Sequence, residues 1–299
     1  MKQITINQNP VCFAWRRCIF TFFITFSLIS GQALAADQGA NLCKNNTVQV
    51  NGRDVKGVVP FSALGQTVPL VIGLHPGFST GALFASSSGL SSEAWSRSFV
   101  GVFPNGTALA WNAGNCCGLP LQNNIDDVGF LDMVVWTAIT DCAARGITIS
   151  DVYLLGHSNG AMMAYRYADE GVYKPKGLGI AAGTAGGFKP GVSAYVVGSM
   201  RPDSIVVAAH GQLDTNVNFY GGYTTGVDQP RYDYSYNFSF NRISTLMGSG
   251  NRDQSTNLWT SSNALGGFAA FIVLPNSGHG YNDLGGTALT ATILDTWGL

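Results

Sequence analysis

From about Asn46 onward the chain alternates short, nearly continuous apolar runs with longer amphipathic stretches. Pro69-Leu70-Val71-Ile72-Gly73-Leu74 is one such run; Phe99-Val100-Gly101-Val102-Phe103, Val152-Tyr153-Leu154-Leu155, Ile205-Val206-Val207-Ala208-Ala209 and Phe268 to Leu274 repeat it. Runs of this length without polar alternation predict strands buried on both faces of a parallel sheet. Between them, 127–144 predicts a helix with an acidic first turn. A second helix is predicted over 158–169, where Ala161, Met162, Met163 and Ala164 can pack closely on the sheet, and a third over 287–297. Strand and helix in alternation, with no repeat or long linker, predict a single α/β domain with a mostly parallel central sheet and helices on both faces. The stretch from Phe219 to Phe240 breaks the pattern, because Tyr220, Tyr223, Tyr232, Tyr234, Tyr236 and Phe238 are interleaved with Gly, Thr, Asp and Asn. It predicts a wet aromatic loop, either a surface excursion packed on itself or a substrate-binding wall.

Residues 1–35 follow neither pattern. Lys2, Arg16 and Arg17 are their only charges, Cys18 to Ile29 is apolar, and Ala33-Leu34-Ala35 supplies a small-residue cleavage site. The apolar stretch is shorter than the roughly 18 residues a membrane span needs, so the segment predicts a removable secretory signal peptide. Residues 36–299 are then the α/β domain, secreted or periplasmic. Cleavage leaves 13 Lys+Arg against 17 Asp+Glu, a net charge of −4 in place of −1. No basic excess remains to attract nucleic acid or an anionic membrane surface, and neither is expected as a partner. With 46% apolar and only 11% charged residues the chain buries a large core, which excludes disorder.

Export changes how the cysteines are read. Cys12 and Cys18 leave with the signal, and Cys43, Cys116, Cys117 and Cys142 remain as an even set that predicts two disulfides. Three connectivities are open, although a bond between the adjacent Cys116 and Cys117 requires a strained ring. A zinc site built on the four thiolates lacks paired C-x-x-C spacing and is the weaker alternative.

The strongest local motif is Gly156-His157-Ser158-Asn159-Gly160, set between an apolar run and a small-residue helix. In this G-x-S-x-G context a sharp strand-to-helix turn pushes the serine hydroxyl out of the sheet. The Asn159 N–H then lies at a helix N-terminus, ready to donate to an oxyanion. A second match, Gly77-Phe78-Ser79-Thr80-Gly81, is followed by the Gly/Ser-rich stretch from Gly81 to Leu90, a poor helix, and Ser158 is preferred. The loop His75-Pro76-Gly77-Phe78 has a better use as donor of the other oxyanion amide, from Gly77 or Phe78. A serine nucleophile needs a histidine base and an acid to orient it, in the chain order Ser, Asp or Glu, His. His279, in the loop after the run ending at Leu274, and Asp214, in the loop after the run ending at Ala209, satisfy that order together. His210 lacks a well-placed acid before it and is assigned a structural role, bonding the loop that holds Asp214; His157 is the variable residue of the motif. The chemistry asks for no cofactor. There is no H-E-x-x-H, and Asp126-Asp127 is a helix start rather than a metal site.

These residues resemble the esterase and polyhydroxybutyrate depolymerase family, which includes feruloyl and acetylxylan esterases, within the α/β-hydrolase superfamily. The resemblance rests on Leu74-His75-Pro76-Gly77, Phe103-Pro104-Asn105-Gly106, Trp111-Asn112 with Cys116-Cys117-Gly118, Asp126-Asp127-Val128-Gly129-Phe130, the segment from Gly156 to Arg166, His210-Gly211 with Asp214, and Gly278-His279. It implies an α/β-hydrolase fold and an exported serine esterase acting through Ser158, Asp214 and His279. The implied substrates are a polyester oligomer or an esterified polysaccharide. Apart from the resemblance, Trp111, Tyr220 and Tyr223 are candidate substrate contacts. The aromatic stretch after Tyr220 departs from the family, as does Pro76-Gly77-Phe78 in the oxyanion loop. A peptidase on the same fold and a non-catalytic binding protein are the competing expectations. The first lacks a propeller domain to admit peptides, and the second sits badly with a complete set of Ser, Asp and His.

Overall fold

The computed structural model describes residues 41–224 and 228–299, so the leader expected over residues 1–35 lies outside the described residues. The elements in chain order are β1 (Thr47–Val50), β2 (Arg53–Val58), β3 (Thr67–Leu74), α1 (Gly81–Ser87), α2 (Leu90–Arg97), β4 (Val100–Pro104), α3 (Gly118–Gln122), α4 (Asp127–Ala143), β5 (Thr148–His157), α5 (Asn159–Glu170) and β6 (Gly177–Ala181). They continue as β7 (Gly186–Lys189), β8 (Ser193–Val196), β9 (Ile205–Gly211), β10 (Gly222–Tyr223), β11 (Tyr232–Asp233), α6 (Tyr236–Leu246), β12 (Asn251–Gln254), β13 (Leu258–Ser262), β14 (Phe268–Leu274) and α7 (Thr287–Trp297).

All five apolar runs are strands of one ten-stranded sheet of order β1-β2-β4-β3-β5-β6-β9-β14-β13-β12. The six strands from β4 to β14 are parallel and the outer pairs antiparallel. Period-two alternation explains the continuous apolarity. In β5, Val152 and Leu154 enter one core while Tyr153 and Leu155 enter the other; in β9, Val206 and Ala208 oppose Val207 and Ala209. The first core is closed by α4, α5 and α6 through residues such as Phe130, Met162 and Phe240, the second by α1, α2 and α7 through Phe84, Leu90 and Ile293. Each fully buried side chain of this kind contributes about 1.5–3 kcal/mol, which is why both faces must be covered. This is the predicted architecture of a mostly parallel sheet between helices.

Two expectations are corrected and one open choice is settled. The stretch after Ser79 is a helix after all: Thr80 caps α1 by accepting from Leu83 N–H, and burial of Phe84 and Ala85 outweighs the weak propensity of its Gly and Ser residues. The aromatic stretch is not one loop. Its described residues contribute β10 and β11 to a small antiparallel sheet, β10-β11-β7-β8, and its end begins α6, where Tyr236 is buried against Phe271. Finally, the adjacent cysteines do pair. Cys43 and Cys142, with Cα atoms 5.2 Å apart, form one disulfide, and Cys116–Cys117 is the other. With all four sulfurs in disulfides no thiolate remains for zinc, and the zinc alternative falls.

Candidate active site

The strands β5, β9 and β14 lie close together in the parallel sheet, so their carboxyl ends bring the loops that follow them to one place. The turn from β5 into α5 puts Ser158 at φ 56° and ψ −121°, a conformation that costs about 1–3 kcal/mol and exposes the hydroxyl at the sheet edge. The turn closes only because Gly156 has no Cβ, which would run into the Gly160 carbonyl, and α5 starts so close to β3 only because Gly160 also lacks one, which would meet the carbonyl oxygens of Leu74 and His75. The Asp214 loop and the His279 loop approach each other in the same manner. A Cβ on Gly211 would strike the carbonyls of Ser277 and Gly278.

The result is a continuous relay. His279 Nε2 lies 2.8 Å from Ser158 Oγ, and His279 Nδ1 lies 2.7 Å from Asp214 Oδ2. The carboxylate accepts a hydrogen bond from Nδ1–H and so keeps the proton on Nδ1, which leaves Nε2 to accept from the serine. Asp214 Oδ1 also accepts from the N–H groups of Asn216 and Val217, at 2.8 and 2.9 Å. Burial pushes the Asp214 carboxyl up, but the donors from His210 and His279 more than offset it and hold it well below the usual carboxylate range.

His210 does brace the acid loop, with Nε2 2.8 Å from the Val217 carbonyl and 3.2 Å from Asp214 Oδ2. His157 does more than fill the variable place in the motif. Its buried ring lies 2.8 Å through Nε2 from the carbonyl of His279 and so pins the loop carrying the base. His75 is buried as well, donating from Nδ1 to the Pro76 carbonyl (2.7 Å) and accepting Gly106 N–H at Nε2 (2.9 Å).

Burial lowers both His75 and His157 to about 4, from an ordinary value of 6.5. Both are neutral in the folded protein, whereas the unfolded chain binds their protons below pH 6.5. Stability from these two residues is therefore fully present above that value and falls as pH drops toward 4. The slope approaches about 1.4 kcal/mol per pH unit for each ring. Calorimetry is expected to show Tm falling by about 10 °C or more across this window. His157→Gln, which keeps a donor toward His279, should remove close to half of that slope. A flat Tm would contradict both assignments.

The serine opens on a cavity of about 480 Å³. Gly77, Phe78, Ala108, Leu119, Met162, Val217 and the Cys116–Cys117 disulfide are among its lining. Asn159 is the first residue of α5, so its N–H has no partner within the helix. Of the two amides expected to join it, that of Phe78 is already taken, donating to the Leu109 carbonyl at 2.8 Å. The N–H of Gly77 has no acceptor among the described residues.

The expected substrate contacts are placed differently. Trp111 is completely buried, its Nε1 donating to the His75 carbonyl and its backbone held by the Asn159 side chain; it supports the oxyanion loop and does not face the cavity. Tyr220 and Tyr223 are largely exposed and lie outside the cavity lining. Arg231, Leu119 and the disulfide line it instead. Arg231 carried a legible signal: it stands two residues before Asp233, the spacing that puts both on one face of a strand.

No family model matches the chain, and no curated protein matches it in sequence. Solved structures do match. An acetyl xylan esterase from Aspergillus awamori is similar over 85% of this chain and 98% of its own, at 13% identity and a TM-score of 0.57. A protein designated a dienelactone hydrolase from Klebsiella pneumoniae matches over 85% of this chain and 96% of its own, at 12% identity and a TM-score of 0.52. These likenesses establish the α/β-hydrolase fold.

Proposed function

We propose that the protein is an exported serine hydrolase of carboxylic esters, working through Ser158, His279 and Asp214. The observation that carries this reading is the relay from Asp214 through His279 to Ser158 Oγ, which is strand-anchored at every member and opens on a cavity. His279 takes the hydroxyl proton as Oγ attacks the ester carbonyl, and the amides of Asn159 and Gly77 receive the negative charge on the carbonyl oxygen. Each such donor is typically worth about 3 kcal/mol in the transition state. The imidazolium, held by Asp214, returns the proton to the leaving alcohol, and water then releases the acid from Ser158 by the same route in reverse.

Within that class a polyester or hydroxyalkanoate oligomer is the substrate best supported. Beside the largely apolar cavity walls Phe78, Leu109 and Leu119 leave apolar side chains exposed, a mouth suited to an aliphatic chain. The acetyl xylan esterase among the similar structures favours a second reading, an ester borne on plant polysaccharide, whether acetate or ferulate. Measuring kcat/KM on a 3-hydroxybutyrate oligomer, on acetylated xylan and on methyl ferulate, with Ser158→Ala as blank, separates them. The oligomer is expected to lead, and a lead for either of the others replaces it. The absence of turnover and of fluorophosphonate labelling would leave a non-catalytic binding protein.

A further inference from the structure

His75 stands directly after β3, completely buried, and does not line the cavity, whereas the next two residues, Pro76 and Gly77, do. Its ring is bonded on both sides. Nε2 accepts the N–H of Gly106, from the loop after the neighbouring strand β4, at 2.9 Å, and Nδ1 lies 2.7 Å from the Pro76 carbonyl oxygen. An amide N–H only donates and a carbonyl oxygen only accepts, so the two contacts demand the same tautomer, with the proton on Nδ1. Burial keeps the ring neutral and so keeps Nε2 able to accept. The Pro76 carbonyl belongs to the same peptide unit as the Gly77 N–H. That unit is trans and planar, so its two groups point in opposite directions, and a carbonyl held on the buried ring turns the N–H away from it. This N–H has no acceptor among the described residues. The backbone of His75 is held as well, because the Trp111 indole N–H donates to its carbonyl at 3.0 Å. Asn159 in turn holds Trp111, accepting its backbone N–H at 2.7 Å and donating to its carbonyl at 3.0 Å. One buried chain of bonds thus connects the two amides that the proposed mechanism aims at the ester oxygen.

We propose that His75 is a positioning residue for the reaction: its Nδ1–H fixes the plane of the Pro76–Gly77 peptide and thereby aims the Gly77 N–H at the substrate's carbonyl oxygen. The proposal rests on the ester-hydrolase reading. A donor aimed before the reaction starts needs no reorganisation when negative charge forms, and this is where such donors gain their effect. Without the Nδ1–H the Pro76 carbonyl is released and the peptide unit is free to rotate. The loss then falls on the transition state, whose oxygen is charged, and much less on the bound ester, whose oxygen is not.

Two substitutions separate the two bonds of the ring. His75→Asn puts a side-chain NH2 where Nδ1 stood, keeping the donor to Pro76 and losing the acceptor for Gly106. His75→Gln reaches to the place of Nε2, keeping that acceptor and losing the donor. On para-nitrophenyl butyrate His75→Gln is expected to lose about a hundredfold in kcat with KM within about twofold, and His75→Asn to stay within about tenfold of the wild type. A trifluoromethyl ketone mimics the charged state, since Ser158 Oγ adds to its carbonyl carbon, the hydroxyl proton passes to His279, and an oxyanion is left. Its Ki should rise in step with the fall in kcat. If His75 merely ties the loops after β3 and β4 together, His75→Gln is the better variant and His75→Asn the worse. That order, or equal losses, overturns the proposal. Nitrogen-15 NMR of the wild type tests it without any variant: the ring proton is expected on Nδ1, and the Gly77 amide proton is expected to move downfield when the ketone binds. A proton on Nε2, or a Gly77 amide that does not move, overturns it. Wild type with no more turnover than Ser158→Ala fails the ester-hydrolase reading itself, and the proposal with it.

Discussion

Replacing Ser158 by alanine is expected to lower kcat on a nitrophenyl ester by roughly a million-fold, with Tm almost unchanged. On the proposed mechanism the loss is large because Oγ would be the atom that forms the covalent bond, and removing it would leave only binding and oxyanion stabilisation. The stability cost is small because the hydroxyl has His279 Nε2 as its partner and sits at the edge of a cavity, so no buried group is stranded. Alanine also suffers no more than serine at the positive φ that the turn imposes. The measurement is steady-state kinetics beside a thermal melt. Substantial residual activity would move the nucleophile elsewhere, and Ser79 would be the first place to look. That serine is also followed by a helix, so helix propensity no longer separates the two. What separates them is the contact with His279, which Ser158 has and Ser79 lacks among the described residues.

Asp214→Asn is expected to cost about ten-thousand-fold in kcat while leaving the site's shape intact. The oxygen of the new side-chain amide can keep the N–H groups of Asn216 and Val217, which turns its NH2 group toward His279. A donor there forces Nδ1 to become the acceptor, so the proton moves to Nε2 and the ring can no longer accept from Ser158. The same NH2 group meets the Nε2–H of His210, and this unfavourable contact in a buried place should cost a further 1–3 kcal/mol or so of stability. Single-turnover kinetics near neutral pH, together with denaturant unfolding, measures both effects. A loss smaller than tenfold would mean that Asp214 does not set the tautomer of His279.

Much of the fold was legible because burial on two faces writes itself into composition. Phe268 to Leu274 and 287–297 are strand and helix with the boundaries read from the sequence, and β5 differs chiefly by the more exposed start Thr148–Asp151. The elements missed were those held by backbone pairing and not by a core. All four residues of β12 are exposed, so no pattern marks it, and its place is set by its ladder with β13. The hairpin of β1 and β2 carried a signal that went unread, the dipeptide Asn51-Gly52, both of whose residues have positive φ. In α1 a cap and two buried side chains prevailed over weak propensity. For the site, the strand-to-helix motif and the order of Ser, Asp and His pointed to Ser158, Asp214 and His279, which the fold brings within hydrogen-bond distance of one another. Their surroundings were less legible: Trp111, a candidate substrate contact in the sequence, is completely buried and lies outside the cavity lining.

By itself the sequence determined which segments are buried, hence the parallel sheet and the loops at its carboxyl ends. These follow from local patterning, since a strand covered on both faces must be apolar throughout. Only the tertiary structure decided which cysteines pair, which amide is free and what forms the cavity wall. The Cys43–Cys142 bond, the contact of Arg231 with Cys116 and that of Phe78 N–H with the Leu109 carbonyl are each matters of distance between residues far apart in the chain. No local pattern encodes such meetings. They arise from packing that is settled only once the whole sheet has closed.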